Sequence, residues 1–439
     1  MKIALVTAFP PSRQALNEYG FHIADELRQQ TGVDLTILGD ELSEPVPELS
    51  GFTVIRCWSF NRMGNAFSLI RIIRQLKPDV VWFNLGFASF GGKPLPAFFG
   101  LTTPALTRLC SCYTHVTLHQ LFETVNLSDA GIKSPLLYSA AGHVATHLLL
   151  SANSLSVLLP AYHRTLRRKY RRGAVNVRHH GIFASRPEPP NFDLRGNPVH
   201  RVLAFGKWGT YKRLELLVTA FESIQSQLPQ TELIIAGGDH PKTPGYVRGV
   251  AESTKHNPRI RFLGYVPEES LSNLFRTASL TVLPYTSSAG SSGVAHLACQ
   301  YGLPILAPDI EDFVELAQQE FISMEFFTPN DVDSLAHKLL SLIGSPERLT
   351  VMAQQNFSAA LQMAMPQIIR QYIHSFDMQR RVKMLKTFSR LRRFKRWTPA
   401  RRLTVRRLER RLLTWDRPAQ DEIASNPGST KPESSGFTR

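Results

Sequence analysis

The sequence predicts an α/β protein built from two doubly wound parallel sheets, and three observations indicate this class. Short apolar runs alternate with helical patterns over residues 3–178. The alternation stops at residues 184–199, which contain four prolines and no periodicity, and it resumes over residues 202–307. Strands that alternate with helices are typical of parallel sheets, and a proline-rich break between two such series predicts a linker between two domains.

The candidate strands are short apolar runs in each half. In the first half they are residues 3–7, 35–38, 53–57, 80–83, 116–118, 154–158 and 175–178. In the second half they are residues 202–205, 232–236, 260–263, 281–283 and 305–307. The segments between them place apolar residues three and four positions apart, as at Phe21, Ala24 and Leu27, which is the spacing of an amphipathic helix.

These patterns predict a domain organisation in which two Rossmann-like domains share a cleft, because doubly wound sheets bind ligands at the carboxyl ends of their strands. The predicted segments are a first domain at 1–183, a linker at 184–199, a second domain at 200–364, a helix at 365–377 that packs back on the first domain, a basic amphipathic tail at 378–415, and a disordered end at 416–439.

The net charge of +16 is concentrated in the predicted tail, since residues 378–415 hold 15 Lys and Arg and one acidic residue. Four apolar residues of this tail fall on one helical face beside arginines: Val405, Leu408, Leu412 and Trp415. Such a face indicates contact between residues 380–415 and an anionic membrane surface, where each basic residue adds ~1 kcal/mol. A solvated tail and weak RNA binding are the alternatives, and a nucleic acid partner is the less favoured.

The cellular location is predicted from what the sequence lacks. No secretory signal pattern precedes the first candidate strand, and no run of ~18 apolar residues occurs. The four cysteines form no disulfide framework for a chain of this length. We therefore expect a cytoplasmic protein, with the basic tail as a peripheral contact at the cytoplasmic membrane face.

A glycine and two lysines follow the first strand of the second half. Gly206 and Lys207 come directly after residues 202–205, and Lys212 precedes a helical segment. A glycine lets the backbone approach an anion, and two ammonium groups beside a helix N-terminus can neutralise a diphosphate. The alternative is a solvated loop with two exposed lysines.

A serine- and glycine-rich turn at 287–294 lies between strand 281–283 and the next helix. Its hydroxyl and backbone N–H groups can hold a phosphate or a ribose without a formal charge. The candidate residues for the donor diphosphate are Ser288, Gly290, Ser291, Ser292, Gly293 and Val294. The alternative is a flexible loop, but the short length between two regular elements favours binding.

Three motifs of the second half resemble those of the retaining glycosyltransferases of the GT-B fold, in particular glycosyltransferase family 4. Gly206, Lys207 and Lys212 keep the spacing of the family's Gly-Arg and lysine, with lysine in place of arginine. The other motifs are Phe262-Leu263-Gly264-Tyr265-Val266 and Gly302-Leu303-Pro304-Ile305-Leu306-Ala307. The resemblance covers about residues 1–377. It implies GT-B architecture, two Rossmann-like domains facing across a cleft, with the base of a nucleotide-sugar donor at Tyr265 and Val266.

The sequence departs from the family at a pair of glutamates that bind the donor. Ala289 and Leu297 stand at those two positions. The serine turn would then take over contacts to the donor, and the identity of the sugar stays open. An acidic residue that the family places after strand 305–307 is approximated by Glu315.

In the first half, the resemblance implies that the start of the first helix approaches the acceptor. These acceptor candidates are Asn17, Glu18, Tyr19 and Gly20, with a helix N-cap as the alternative role of Asn17. His119 ends strand 116–118, where family members often place a histidine near the transferred sugar, and we predict it as the catalytic residue. The alternative is a buried structural histidine, which is also how we interpret His180 before the linker.

Taken with the resemblance, these features predict a transferase that moves a hexose-type sugar from a nucleoside diphosphate sugar to a glycan or a lipid-linked acceptor. Retention is expected, with the donor's own phosphate taking the acceptor proton. No cofactor and no metal are expected, because the two lysines can replace a cation. Two alternatives stay open. One is a catalytically degenerate binding protein, which the missing glutamates favour. The other is a nucleotide-sugar 2-epimerase, which would need carboxylates in the cleft.

Overall fold

The structure is a computed structural model that describes residues 1–42, 44, 47–110, 112–124, 135–184, 186–196, 200–240, 242–287 and 291–393. The chain separates into two compact units, Met1–Tyr372 and Ile373–Arg439. The predicted tail at 378–415 is therefore described only as far as residue 393, and the predicted disorder at 416–439 lies outside the described residues.

Among the described residues, the first lobe forms a seven-stranded parallel sheet in the order β3-β2-β1-β4-β5-β6-β7. Its strands are β1 (Lys2–Val6), β2 (Asp34–Asp40), β3 (Val54–Trp58), β4 (Val80–Leu85), β5 (Tyr113–Leu118), β6 (Ser154–Val157) and β7 (Val175–Val177). The central strands β4 and β5 are buried along their whole length. Helices on both faces of a parallel sheet explain why these strands are buried on both sides.

The helices of the first lobe alternate with its strands. They are α1 (Asn17–Arg28), α2 (Asn65–Leu76), α3 (Pro94–Leu101), α4 (Thr103–Thr107), α5 (Pro135–Leu149) and α6 (Pro160–Tyr170). From β3 through β4 and β5 to β6 the chain moves in one direction across the sheet, and right-handed crossovers then place α2 to α5 on the same face. Accordingly, α2 packs against α3 and α4, and α3 packs against α5.

The second lobe has a six-stranded sheet within the described residues, in the order β10-β9-β8-β11-β12-β13. Its strands are β8 (Arg201–Phe205), β9 (Glu232–Ala236), β10 (Ile260–Gly264), β11 (Leu280–Val282), β12 (Ile305–Pro308) and β13 (Met324–Phe327). Its helices are α7 (Leu214–Ile224), α8 (Tyr246–Ser253), α9 (Glu268–Thr277), α10 (Gly293–Gln300), α11 (Glu311–Glu320), α12 (Val332–Ile343) and α13 (Pro346–Gln362).

The two parallel sheets confirm the predicted α/β class, and each predicted apolar run contains at least half of one strand. Strand β13 was not predicted, because its sequence Met-Glu-Phe-Phe contains no β-branched residue.

After α13 the chain returns to the first lobe. The backbone N–H of Ile182 donates to the carbonyl of Met363 at 2.9 Å, just before the last helix, α14 (Met365–Arg393). Early in α14, the ring of Tyr372 lies 4.4 Å from the ring of Trp82 on β4. Within the described part of the chain, no helix is long and apolar enough to cross a bilayer.

Candidate functional site

A row of aromatic rings joins the two lobes at the carboxyl ends of the strands. The ring of Tyr19 on α1 lies 4.7 Å from His119 and 4.4 Å from His180, measured between centroids. His180 in turn lies 4.8 Å from His296 on α10 of the second lobe. All four side chains are buried. The segments that follow β1, β5 and β7 therefore meet the second lobe where doubly wound sheets bind their ligands.

His119, the predicted catalytic residue, is held by the end of a neighbouring strand. Its Nε2 atom lies 2.6 Å from Oδ1 of Asn84 on β4, and the Asn84 amide donates to the Thr7 hydroxyl at 3.1 Å. Because the amide oxygen can only accept, Nε2 carries the proton and Nδ1 is the acceptor. Burial lowers the pKa of His119 to about 3, so the ring is neutral at pH 7.

Two of the predicted acceptor residues pack α1 against the rest of the first lobe. The Tyr19 hydroxyl donates a hydrogen bond to the carbonyl of His180. Gly20 lies so close to the end of β1 that a Cβ atom there would be 2.5 Å from Thr7 Oγ1. Tyr19 and Gly20 therefore lie beside His119, while their observed contacts are with the protein itself.

The other two predicted acceptor residues differ in exposure. The Asn17 side chain donates to the carbonyl of Ser12 at 2.5 Å, whereas Glu18 is exposed. The N-cap of α1 is Leu16, which makes no side-chain cap. Asn17 is thus not the helix cap of the alternative interpretation, and its side chain holds the loop that follows β1.

His296, the last ring of this row, forms a buried ion pair with Glu320. His296 donates from Nδ1 to the carbonyl of Ser292 at 2.8 Å, and its Nε2 atom lies 2.7 Å from a carboxylate oxygen of Glu320. The other oxygen of Glu320 lies 3.0 Å from Nδ1 of His179, which follows β7. The carboxylate therefore joins α10 to the segment that precedes the linker.

The pKa shifts of both partners favour their charged forms. Burial opposes the charge on His296, but Glu320 outweighs it and raises the pKa of the imidazole. Burial likewise opposes the charge on Glu320, but His296 and His179 lower the pKa of the carboxyl to about 2. His296, Glu320 and His179 were not predicted as site residues from the sequence. One available signal was the position of His296 directly before Leu297, where the family has a glutamate.

Lys212 lies over Gly206, as the diphosphate prediction requires. Gly206 adopts a φ of +154°, and a Cβ atom there would be 3.6 Å from Lys212 Nζ. The ammonium lies 4.6 Å from the ring centre of Tyr285, just beyond β11. A cation over an aromatic face is stabilised electrostatically, so the ammonium is fixed between the ends of β8 and β11.

Lys207 contributes to the same positive edge of the sheet. Its side chain is exposed, whereas Lys212 is half-buried. Burial lowers the pKa of His240, and the nearby charges of Lys242, Lys212 and Lys207 lower it further. Both predicted lysines therefore lie near His240, beyond β9. Three ammonium groups around one edge of a sheet create a positive potential that attracts a polyanion.

Trp208, which was not predicted as a site residue, anchors the loop at 206–212 that carries Lys207 and Lys212, here called the lysine loop. Its side chain is fully buried, and its indole N–H donates to the carbonyl of Ala236 at 3.0 Å. Its backbone N–H donates to Gly238, and its carbonyl accepts from His240. The loop after β8 is thus fastened to the loop after β9, which fixes the backbone on both sides of Lys207.

Part of the serine turn lies at the start of α10. Ser292 is the N-cap and accepts from the backbone N–H of Ala295 at 3.3 Å. The Oγ atom of Ser291 is buried and has no partner among the described residues. Gly293 and Val294 form the first turn of the helix. Ser288 and Gly290 lie outside the described residues.

The predicted base site follows β10. Tyr265 is 84% exposed, so its ring is free to stack on a base. Val266 lines a cavity of about 290 Å³ together with Arg201 at the start of β8 and Arg261 on β10. Neither predicted lysine lines this cavity.

Glu315 makes a contact between the lobes. One of its oxygens accepts from the backbone N–H of Ala161 at 2.6 Å, in the first turn of α6. The other forms an ion pair with Arg164. A carboxylate at a helix N-terminus is favourable, so Glu315 stabilises the approach of α6 and α11.

Within the described part of the chain, no group of three or more His, Cys, Asp or Glu side chains is arranged to hold a metal ion. The sequence does contain one Asp-x-Asp pattern, at Asp331 and Asp333. Asp331 is the N-cap of α12 and accepts from the backbone N–H of Ser334 at 2.9 Å, which accounts for this residue structurally.

Comparison with known protein families gives a match in the second lobe. Residues 199–345 match the family Glycosyl transferases group 1. A search of curated proteins gives no match for this chain. The matched segment contains the lysine loop, the serine turn and the predicted base site.

Solved structures of similar fold cover most of the chain. Sucrose-phosphate synthase from Thermosynechococcus elongatus has a TM-score of 0.68 at 16% identity and covers 87% of this chain and 100% of its own. Anabaena HepE in complex with UDP and glucose has a TM-score of 0.63 at 16% identity, covering 86% and 99%. A glycosyltransferase from Rickettsia africae has a TM-score of 0.61 at 13% identity, covering 86% and 98%. The predicted GT-B fold is confirmed.

Proposed function

We propose that the chain is a glycosyltransferase that moves a hexose-type sugar from a nucleoside diphosphate sugar to a glycan or lipid-linked acceptor. The observation that carries the proposal is the Lys212 ammonium, held over Gly206 at the strand ends of a domain that matches Glycosyl transferases group 1. The complex of Anabaena HepE with UDP and glucose supports a UDP-sugar as the first donor to try.

In this proposal the protein stabilises the leaving diphosphate. Lys212 and Lys207 neutralise the charge that develops on the diphosphate, and the N-terminus of α10 at Gly293 and Val294 adds backbone donors. The base stacks near Tyr265 and Val266. No metal or other cofactor is needed, because the ammonium groups supply the positive charge.

His119 acts on the sugar in this scheme. Its neutral ring keeps Nε2 bound to Asn84, so Nδ1 remains as the acceptor for a sugar hydroxyl. The donor's own phosphate takes the proton of the acceptor hydroxyl on the attacked face, which gives retention and requires no protein nucleophile. Asn17, Glu18, Tyr19 and Gly20 lie on the acceptor side.

Calorimetry with UDP, GDP and ADP tests the diphosphate site. We expect Lys212→Ala to weaken binding of the preferred nucleotide by ~1–3 kcal/mol, as for a lost charged hydrogen bond. Lys255→Ala is the matched control, because Lys255 is exposed and pairs with Glu252 on α8. Unchanged affinity in Lys212→Ala, or an equal loss in both variants, would contradict the assignment.

A binding protein without catalysis is the second candidate, and the observation that favours it is Ala289 and Leu297 in place of the two glutamates. Incubation with a panel of nucleotide sugars separates the functions. Transfer or hydrolysis of a donor supports the transferase, and binding without turnover supports the degenerate protein. An epimerised donor would instead identify a nucleotide-sugar 2-epimerase.

We also propose that the protein is cytoplasmic and that residues 380–415 contact an anionic membrane surface. Residues 394–415 lie outside the described residues, so the proposed contact depends on the sequence pattern of the tail.

A further inference from the structure

Large apolar side chains are exposed together on the first lobe, on and beside helices α2, α3 and α4. They include Phe60, Met63, Phe67, Leu95, Phe99 and Leu109. Phe67 is 85% exposed and Leu109 is 75% exposed, so these are not partly covered core residues. We call this region the α2–α4 surface. Groups of exposed apolar side chains mark sites of interaction more often than isolated ones do.

The α2–α4 surface is continuous, because its loops and helices contact one another. The backbone N–H of Asn61 donates to the carbonyl of Phe90 at 2.9 Å, and its Oδ1 accepts from the N–H of Lys93 at 3.0 Å. The loop that carries Phe60 and Met63 is thus fastened to the loop that begins α3. Helix α2 in turn packs against α3 and α4.

Helix α2 has two faces with different roles. Leu69 and Ile73 are buried against the sheet, and they supply the core-facing stripe that a surface helix needs. Phe67, Arg71 and Arg74 lie on the opposite side, at positions i, i+4 and i+7, and all three are exposed. The outward face therefore combines a large aromatic ring with two cations, and the core does not require it.

Helix α3 repeats this arrangement. Pro96 and Leu101 are buried, whereas Leu95 and Phe99, four residues apart, are 63% and 42% exposed. Lys93 precedes the helix and is exposed.

The α2–α4 surface is mainly cationic. Residues 59–112 contain Arg62, Arg71, Arg74, Lys77, Lys93 and Arg108 but a single acidic residue, Asp79. Asp79 is engaged by the backbone N–H of Lys2 at 2.9 Å, and Arg62 pairs with Glu41. The remaining basic residues form no ion pair within the described part of the chain. A surface that is apolar and cationic is complementary to an anionic lipid interface.

We propose that the α2–α4 surface docks on an anionic lipid bilayer. The apolar side chains enter the headgroup region, and the exposed arginines and lysines contact the lipid phosphates. This surface belongs to the first lobe and is distinct from the basic tail.

The position of the α2–α4 surface links docking to the candidate site. Strand β4 carries Asn84, which holds His119, and its end leads directly into the loop that contacts Asn61. Docking would thus bring the cleft close to the headgroups. That a lipid-linked acceptor is the substrate rests on the proposed function, whereas the docking itself does not.

Sedimentation of the full-length protein with lipid vesicles tests the proposal. We expect binding to vesicles of equal parts phosphatidylglycerol and phosphatidylcholine and little binding to phosphatidylcholine alone. Arg71→Gln with Arg74→Gln should weaken binding roughly 25-fold, since each basic residue near the surface contributes about fivefold. Phe67→Gln with Leu95→Gln should weaken it at least tenfold, because two exposed apolar groups no longer enter the interface.

The matched control is Val351→Gln, which changes an apolar side chain that is 60% exposed on α13 of the second lobe. Its vesicle binding should equal that of the parent, and all variants should keep the parent's melting temperature and nucleoside diphosphate affinity. Because every variant retains the tail, parental binding in both double variants would overturn the proposal. The proposal would also be overturned if the parent protein were a dimer that does not bind vesicles and the double variants were monomers. That result would assign the α2–α4 surface to contact with a second copy of the chain. If the parent protein does not bind a nucleoside diphosphate, that result would instead count against the proposed function.

Discussion

His296 and Glu320 form an ion pair inside the protein, with 2.7 Å between the imidazole Nε2 and a carboxylate oxygen. Their side chains are only 2% and 1% exposed. His179 approaches the other carboxylate oxygen from the segment after β7. Burying two charges away from water costs free energy, which their mutual attraction offsets. Removal of either partner should therefore destabilise the folded protein.

Glu320→Gln should destabilise the protein by roughly 3–5 kcal/mol near pH 6, because it leaves a buried imidazolium without its counter-charge. The pKa of Glu320 falls from 4.5 to about 2 on folding, so its contribution is present above pH 4.5 and is lost as the pH falls toward 2. The pKa of His296 is raised, so its contribution is present below its unfolded value and is lost as the pH rises through the folded value.

The measurement is the urea midpoint of parent and variant as a function of pH. The gap between them should be widest near pH 6 and narrower on both sides. Glu252→Gln, which removes an exposed partner of Lys255, is the control and should shift the midpoint little. A gap that does not change with pH would show that Glu320 acts through packing and not through charge.

The fold was predictable because parallel strands leave a local signature. Buried strands such as β4 read as continuous apolar runs, and the helices between them carry their own periodicity. Strand β13 was missed, although the even shorter edge strand β7 was predicted, because the Met-Glu-Phe-Phe sequence of β13 lacks the β-branched valines that mark β7.

The interlobe contacts could not be predicted in the same way. His179 and Glu320 are 141 residues apart, and no periodicity relates them. Glu315, assigned by resemblance to an acidic position after strand 305–307, also accepts from Ala161 in the first turn of α6, a contact that the sequence did not indicate. In the lysine loop, by contrast, strand, turn and helix follow one another within a few residues, so Gly206 and Lys212 were identified from the sequence.

The fixed, neutral ring of His119 leads to a prediction about catalysis. We expect His119→Asn to lower kcat by roughly 5- to 150-fold, the worth of one hydrogen bond of 1–3 kcal/mol, with little change in nucleoside diphosphate affinity. Because the pKa of His119 is about 3, its titration should not contribute to the pH profile of kcat between pH 5 and pH 8.

Steady-state kinetics with a turned-over donor make this measurement. His256→Asn serves as the control, since that side chain is 69% exposed and pairs with Glu222 away from the row of rings. A loss of nucleotide affinity equal to the loss in kcat would place His119 among the residues that bind the donor in the ground state.

Gly206 should be required for the position of the Lys212 ammonium. A Cβ atom at Gly206 would lie 3.6 Å from Nζ, and the φ of +154° is unfavourable for any other residue. The added Cβ would make only an ordinary contact with the ammonium, so we expect Gly206→Ala to act through backbone strain, costing about 1–3 kcal/mol of stability and weakening nucleotide binding by shifting the loop that carries Lys212.

Gly238→Ala, on the adjoining loop, is the matched control, because a Cβ atom there meets nothing within 4 Å. It should keep the parent's melting temperature and nucleotide affinity. Calorimetry on Gly206→Ala, Lys212→Ala and the double variant then completes the test. If the glycine acts through the lysine, the two losses of affinity will not add, because the displaced ammonium is already absent from the double variant. Additive losses would mean that the Gly206 backbone approaches the diphosphate independently of Lys212.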